Sequence, residues 1–233
     1  MPHRDPIHLR PTAPLGECVL LPGDPGRALA LAQALLKEPR MFNHHRGLWG
    51  YTGAAPDGEP LTIQATGMGG PSAAIVLEEL IALGARRAVR VGSCGALAPG
   101  LELGDLVIAQ DAICADGTSR ALGAGERVSA DGALTAALFE RAEDAHLGTV
   151  VSVDLFYESD GPGAGAGQEA LAVEMEAAAL FALGARHGFP VGCVLAVSDT
   201  FDAQGARHRI DDHALLAAAE RMGSAAIAAL LSV

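Results

Sequence analysis

Short aliphatic runs, each bounded by Gly or Pro, alternate along the chain with longer Ala- and Leu-rich amphipathic stretches. A bounded aliphatic run predicts a buried strand, and a longer amphipathic stretch predicts a helix. Strands that alternate with helices favour a parallel sheet with helices on its faces. Because the 233 residues contain no internal repeat and no long linker, the sequence predicts an α/β fold: a single-domain α/β/α sandwich over residues 1–233, with a mixed, largely parallel central sheet.

Turn residues set the limits of the predicted elements. The predicted strands are Cys18–Leu21, Leu48–Gly53, Leu61–Ala65, Ala88–Gly92, Leu106–Ala109, Thr149–Val153 and Val191–Val197. The predicted helices are Gly26–Leu36, Ser72–Leu83, Ala133–His146, Glu176–His187 and Asp211–Leu231. Ser72 is an N-cap candidate after Pro71, Gly84 and Gly188 are helix-ending glycines, and the Gly-rich stretch 161–167 predicts a surface loop.

The chain carries 28 acidic and 16 basic residues, which gives a net charge of −12. Such an acidic chain is a poor general binder of nucleic acid or of an anionic membrane. Any anionic ligand must therefore meet a local cluster of cations, and these are nearly all arginines because Lys37 is the only lysine.

The cysteine and histidine patterns favour neither a disulfide framework nor a metal site. The four cysteines contain no CxxC pair, and the histidines show no HExxH or paired ligand spacing. The N-terminus has no apolar signal region, and no run approaches 18 apolar residues. We expect a cytoplasmic protein with reduced cysteines and no bound metal.

Two glycine-rich strand ends each place an arginine near backbone N–H groups. In VLLPGDPGRA (19–28), Gly23 lies in the turn and Arg27 in the first turn of the helix. In RAVRVGSCGAL (87–97), Arg90 approaches the end of a strand and a small-residue loop with Ser93 follows. Either segment alone also fits a plain turn or a buried salt bridge, but two together favour an oxyanion site.

The segment TGMGGPSAAIVLEEL (66–80) imitates a dinucleotide-binding fingerprint, but a serine stands at the third glycine position and no acidic residue follows at the required distance. We reject that interpretation. A loop of close backbone approach remains, in which Met68 either faces a ligand or fills the core.

Carboxylates mark two further segments, AVEMEAAALFALG (172–184) and VLAVSDT (194–200). Glu174 and Glu176 can share a ligand at a strand end but not within a helix, and one carboxylate matches the two donors of a ribose diol. The alternative places both glutamates at a helix N-terminus. Asp199 is the carboxylate placed to pass a proton, unless Ser198-Asp199 is only a turn or cap. Phe156 either stacks on a planar base or fills the core.

Together these segments resemble the nucleoside phosphorylase family that includes the hexameric bacterial purine nucleoside phosphorylases and the uridine phosphorylases. The resemblance covers nearly the whole chain and is carried by eight motifs in order. They are HLRP at His8, LPGDPGRA at 21–28, HRGLWGYTG at 45–53, TGMGGPSAAIVLEEL at 66–80, VRVGSCG at 89–95, DLFY at 154–157, VEMEAA at 173–178 and VSD at 197–199.

The resemblance implies phosphorolysis of purine (deoxy)ribonucleosides, with inorganic phosphate as co-substrate and no cofactor. Its implied binding roles fall into three groups, beside one catalytic role. Gly23, Arg27, Arg90, Ser93 and Arg46 would bind phosphate; Glu176, Met175, Met68 and His8 the sugar; and Phe156, Glu174 and Ser198 the base. Asp199 would be the general acid. His8 and Arg46 would come from a neighbouring subunit, which implies a homodimer unit within a hexamer built as a trimer of dimers.

The chain departs from the family pattern in two places. An arginine usually follows the Ser-Asp pair to assist proton transfer, and here Arg207 and Arg209 both qualify. Uridine phosphorylases place a Gln/Arg pair after Phe-Tyr, whereas Glu158-Ser159-Asp160-Gly161 follows Tyr157, which favours purine. The alternative hypotheses for the function are a uridine phosphorylase, a nucleosidase of the same fold, and a nucleoside or phosphate sensor without catalysis.

Overall fold

The computed structural model of the protein describes residues 5–157, 169–202 and 204–233. Its strands are β1 (Cys18–Leu21), β2 (Lys37–Asn43), β3 (Gly50–Ala54), β4 (Pro60–Gln64), β5 (Arg87–Ala96), β6 (Leu106–Cys114), β7 (Arg127–Ser129), β8 (His146–Ser152), β9 (Ala172–Glu174), β10 (Val191–Phe201) and β11 (Arg207–Arg209). Its α-helices are α1 (Pro25–Leu35), α2 (Gly70–Leu83), α3 (Gly117–Ala121), α4 (Gly132–Arg141), α5 (Ala177–His187) and α6 (Asp212–Leu230).

The strands form one mixed sheet with the order β11-β10-β6-β8-β9-β5-β1-β4-β3-β2, and β7 pairs with β6. β1 is parallel to β4 and β5, β10 to β5, and β8 to β6 and β9, while the remaining pairings are antiparallel. Because β10 pairs with both β6 and β5, five strands of the sheet close into a ring. The predicted α/β class with a mixed sheet is confirmed, and the ring is a feature that the alternation of elements does not reveal.

Helices cover the sheet in two groups. The helices α2, α3 and α5 contact one another, and α6 contacts both α1 and α4. Leu77 and Leu180 belong to one buried cluster, while Leu31, Leu134 and Met222 belong to the other. Two separate apolar cores on a shared sheet are the arrangement that an α/β/α sandwich requires.

Each predicted strand and helix corresponds to an observed element, although several bounds differ. The helix predicted to reach His146 ends at Arg141, because β8 already begins at His146. The predicted loop at Ser93 is wrong, because β5 continues to Ala96 through pairing with β10 and β9.

The cap predictions have mixed outcomes. Ser72 does not cap α2, because the helix begins at Gly70 and the Ser72 hydroxyl donates to the carbonyl of Thr66. Gly84 and Gly188 do end their helices, each with a left-handed backbone. The four cysteines are free and buried. The predicted loop over 161–167 lies outside the described residues.

Parallel strands bring most of the predicted site residues to one edge of the sheet. The turn with Gly23 follows β1, the loop 66–69 follows β4, and Arg90 and Asp199 lie within the neighbouring strands β5 and β10. The carbonyl oxygens of Pro22 and Gly23 accept hydrogen bonds from the N–H groups of Thr66 and Gly67, so the first two segments lie side by side. None of the helices in the described ranges is long and apolar enough to cross a membrane.

Candidate active site

Arg90 lies at the centre of the candidate site and is only 3% exposed. Its Nε donates to Oε2 of Glu174 at 3.0 Å, and its Nη2 pairs with Oε2 of Glu176. Within the described part of the chain, Nη1 is buried without a hydrogen-bond partner. Burial alone would lower the pKa of Arg90, but Glu176 and Glu174 outweigh it and raise that pKa. The site therefore holds a permanent cation with one donor group unused, and an unused buried donor calls for an acceptor.

Gly92 makes room for the Arg90 guanidinium. Alternate residues of a strand share a face, and a Cβ atom at position 92 would lie 2.6 Å from Nη2 and 2.7 Å from Cζ of Arg90. The sequence motifs did not identify Gly92 as a functional residue. The available signal was an isolated glycine inside a strand, which indicates close approach of another group.

Glu174 and Glu176 reach Arg90 from the junction of β9 and α5. Glu174 ends the strand and Glu176 directly precedes the helix, so both lie at a strand end, and their sharing of a ligand there stays a prediction. The helix-terminus alternative holds as well, because the carboxylate of Glu174 accepts from the N–H groups of Glu176 and Ala177 at 2.9 Å. Oε1 of Glu176 accepts from the N–H of Gly69, which ties this junction to the loop after β4.

Arg27 lies in the first turn of α1 and is half-buried. Burial lowers the pKa of Arg27, and the nearby cations Arg90 and Arg209 lower it further, while Asp24 and Glu176 oppose the shift. Among the described residues, the Arg27 side chain has no hydrogen bond or salt bridge. Arg27 and Arg90 thus lie within electrostatic range of each other, as an oxyanion site formed by two strand ends requires. The alternative of a buried salt bridge is realised for Arg90 but not for Arg27.

Asp199 is 5% exposed and lies beside β11. It accepts from the Ser198 hydroxyl at 2.7 Å, and Nη1 of Arg209 lies 3.0 Å from Oδ1 and 3.3 Å from Oδ2. The pairing of β10 with β5 is irregular between Val197 and Asp199. In a regular strand, adjacent side chains point to opposite faces, but a bulge disrupts this alternation. The irregularity therefore allows the side chains of Ser198 and Asp199 to bond to each other.

The structure separates the two arginines that the sequence left equivalent. Arg209 stands directly opposite Asp199 in the β10–β11 pair and bonds to its carboxylate. Arg207 is farther away, with Nε 3.9 Å from Oδ1 of Asp199. Its guanidinium carbon lies 4.4 Å from the ring centroid of Phe156, which is a cation–π distance.

The predicted apolar site residues differ in exposure. Met68 is 87% exposed and stands between two glycines with positive φ, and Phe156 is 45% exposed. Neither side chain fills the core, so that alternative is wrong for both. Met175 is half-buried and packs beside the cluster formed by Val151, Val153 and Ala170. Ser93 is half-buried within β5, and its role stays a prediction.

Neither His8 nor Arg46 makes a side-chain contact with Arg90 among the described residues. The His8 ring contacts Glu79 at 2.7 Å, and the carbonyl of His8 lies 3.1 Å from Nδ1 of His45. Arg46 is exposed and has φ = 58°, a strained backbone for a residue other than glycine. That His8 and Arg46 complete the site of a neighbouring subunit therefore stays a prediction.

Glu79 holds the segment that carries His8. Its carboxylate accepts hydrogen bonds from the N–H groups of Ile7, His8 and Leu9 at 2.7–3.0 Å. Burial alone would raise the pKa of Glu79, but these bonds and the bond to the His8 ring lower it. The backbone of the segment is therefore attached to α2 through one charged acceptor, next to the buried side chain of Leu9.

We expect Glu79→Gln to release this segment, because a hydrogen bond to a charged acceptor contributes about 1.5–3 kcal/mol. Hydrogen exchange at the amides of residues 7–9 should become at least about tenfold faster. Glu78→Gln is the matched control, since Glu78 bonds to His187 instead. Unchanged exchange in Glu79→Gln would show that other contacts hold the segment.

Comparison with known proteins identifies relatives over most of the chain. A family profile described as "Phosphorylase superfamily" matches residues 17–232. A uridine phosphorylase of Thermococcus kodakarensis is 41% identical over 199 residues, which cover 77% of this chain and 71% of the relative. A DeoD-type purine nucleoside phosphorylase of Oceanobacillus iheyensis is 36% identical over 195 residues (79% and 83%). A guanosine phosphorylase of Halorubrum lacusprofundi is 38% identical over 188 residues (78% and 77%).

Proposed function

The chain belongs to the nucleoside phosphorylase family of the phosphorylase superfamily, and on this premise we propose that it cleaves purine nucleosides with inorganic phosphate. The products are a free purine base and (deoxy)ribose 1-phosphate. The observation that carries the proposal is the buried Arg90, whose Nη1 lacks a partner within the described residues, with Arg27 in electrostatic range.

Phosphate is the ligand that best fits these two arginines. Repulsion between them is relieved when a dianion lies between their guanidinium groups, and Arg90 brings its unused donor to that anion. Gly23 lies in the turn after β1 and Ser93 lies within β5, three residues after Arg90, and both are small enough for a ligand to approach closely. The dianion then stabilises the cationic, oxocarbenium-like sugar and adds to C1′, so its contribution is positioning and electrostatics.

Glu176 is the carboxylate proposed to bind the sugar hydroxyls. It lies beside Arg90 and at the loop that carries Met68, as a sugar placed above a phosphate requires. Its two oxygens suit the two donors of a ribose diol. Each oxygen also has a second acceptor position, so the sugar hydroxyls can bind while the N–H of Gly69 and Nη2 of Arg90 stay in place.

Asp199 is the proposed general acid. As the bond between C1′ and the purine nitrogen breaks, its electron pair moves into the purine ring, and a proton from Asp199 reaches N7. Asp199 is buried, and Nη1 of Arg209 donates to both oxygens of its carboxyl group. The proposal therefore requires Arg209 to turn away from Asp199 when the nucleoside binds, so that the carboxyl can carry its proton.

Two features bear on the choice of base. The residues after Tyr157 lack the Gln/Arg pair expected of uridine phosphorylases, which supports purine, although positions 158–161 lie outside the described residues. The 41% identity to a uridine phosphorylase favours uridine as the second candidate. A hydrolytic nucleosidase ranks lower, because it has no use for the Arg27 and Arg90 pair.

An absorbance screen of adenosine, inosine, guanosine, 5′-methylthioadenosine and uridine, each with and without phosphate, tests the proposal. We expect release of a purine base only when phosphate is present. Release of uracil alone would establish the second candidate, and release that ignores phosphate would establish a nucleosidase. Binding without release would indicate a sensor.

The proposal includes a homo-oligomer in which His8 and Arg46 complete the site of a neighbouring subunit, with a dimer as the minimal unit, a cytoplasmic location and no cofactor. Arg46→Ala and Arg90→Ala subunits should each be inactive alone. When the two are co-expressed with different tags and mixed oligomers are purified, about half of the sites in a mixed dimer contain both arginines, so activity should return. Continued inactivity of the mixed oligomers would contradict a shared site.

A further inference from the structure

The carboxylate of Glu174 has no free position for a base. An ionised carboxylate offers about four acceptor sites. In Glu174 these accept from Nε of Arg90 at 3.0 Å, from the Ser152 hydroxyl, and from the N–H groups of Glu176 and Ala177 at 2.9 Å. The side chain is also only 4% exposed. A nucleobase could reach Glu174 only by displacing these internal bonds.

These same bonds connect Arg90 to rigid parts of the fold. The N–H of Ala178 donates to Oγ of Ser152 at 2.9 Å, and Ser152 in turn donates to Glu174. Glu174 thus lies between the N-terminus of α5 and the guanidinium of Arg90. Because the helix N-terminus favours a negative charge, it keeps this carboxylate in place at the Nε side of Arg90.

Gly92 lets the guanidinium of Arg90 lie against the backbone of β5. The guanidinium lies so close to the backbone of β5 that a Cβ atom at position 92 would meet Nη2 and Cζ at 2.6 and 2.7 Å. Gly92 thus provides the space for the guanidinium, and the carboxylate of Glu174 holds its Nε side. In that placement Nη1 is the group without a partner among the described residues.

We propose that Glu174 is a positioning residue for the phosphate site, and that it acts with Gly92 to fix the guanidinium of Arg90 rather than contacting the base. This inference rests on the proposed function insofar as the anion held by Arg90 is phosphate. It differs from the role in the base site that the family resemblance implies for Glu174.

Glu174→Gln is the direct test, because it keeps the shape of the side chain and removes its charge. The amide nitrogen would face donors at one of the two oxygen positions, so Arg90 should shift. A misplacement of about 1 Å can reduce a rate about 100-fold, and we expect the KM for phosphate to rise about 10- to 100-fold. The ratio of kcat/KM for inosine to that for adenosine should stay within about threefold of the wild-type ratio.

Gly92→Ala provides a second variant, since Glu174→Gln also weakens the capping of α5 and can prevent folding. The added methyl group displaces Arg90 without touching that cap, so the same rise in the KM for phosphate is expected. Gly192→Ala is the matched control on the neighbouring strand β10. The three atoms nearest to its Cβ atom would all belong to aliphatic side chains, with Leu138 nearest at 3.1 Å.

Calorimetric titration with inorganic phosphate gives a readout that does not depend on turnover. Weaker phosphate binding in Glu174→Gln or Gly92→Ala, with wild-type affinity in Gly192→Ala, would support the proposal even if no purine nucleoside is cleaved, and only the proposed substrate would then fail. If purine nucleosides are cleaved but Gly92→Ala and any folded Glu174→Gln leave the KM for phosphate unchanged, the positioning role is wrong. An altered inosine-to-adenosine ratio with an unchanged KM for phosphate would assign Glu174 to the base site.

Discussion

Replacing Arg90 with lysine should lower kcat/KM for phosphorolysis by about 10³-fold or more, even though the positive charge is kept. Arginine presents a planar fork of donors, whereas lysine is a point charge on a flexible stem. The fork lets Arg90 bond to Glu174 and Glu176 while Nη1 stays available. A lysine ammonium group cannot make the same three contacts in the same plane. Arginines that stabilise phosphoryl groups commonly contribute about 10³–10⁵-fold to a rate.

Arg87→Lys is the matched control, because Arg87 begins the same strand and lies at its other end from the site residues. Its kinetic constants should stay close to those of the wild type. Arg90→Lys also leaves two buried glutamates less well paired, so thermal unfolding must be measured beside the kinetics. A folded Arg90→Lys variant that keeps full activity with phosphate would remove Arg90 from the phosphate site.

Asp199→Asn is expected to reduce turnover of inosine by about 10²–10⁴-fold, the usual contribution of a general acid. The amide matches the carboxyl in shape and can keep the contacts to Ser198 and Arg209, but it cannot deliver the proton. A purine that leaves as an anion depends on that proton. A base that leaves as a neutral molecule does not.

7-Methylguanosine separates these two cases, since methylation at N7 makes its base positively charged before the bond breaks. Asp199→Asn should therefore cleave 7-methylguanosine at a rate close to that of the wild type while it loses inosine. The control variant Asp202→Asn changes a carboxylate whose side chain bonds within the β10–β11 turn and should leave both rates unchanged. Equal losses on both nucleosides would exclude Asp199 as the acid.

The sequence predicts the central elements because they are the apolar ones. The strands β1, β5 and β10 are nearly continuous buried runs, and periodicity detects such runs directly. The strand β2 was missed because it lies at the edge of the sheet and is mostly exposed, with a proline inside it. The strands β9 and β11 have three residues each, too few for any periodic signal.

The sequence identified Arg90, Glu174 and Asp199 as candidate site residues but not the bonds that they make. The contact of Arg90 with Glu174 depends on where β9 is placed, and β9 is held by pairing with β5 and β8. The choice of Arg209 over Arg207 depends on the register of β11 against β10. Such registers are set by long-range pairing and turn geometry, which local residue patterns do not contain.

Phosphorus NMR of the enzyme incubated with inosine and inorganic phosphate tests most directly whether this protein transfers a pentose to phosphate. We expect the signal of inorganic phosphate to fall and that of a sugar 1-phosphate to grow by the same amount, with one hypoxanthine released for each. Release of hypoxanthine while the phosphate signal stays constant would contradict the account, because water would then be the acceptor and the pair of Arg27 and Arg90 would have no part in the reaction.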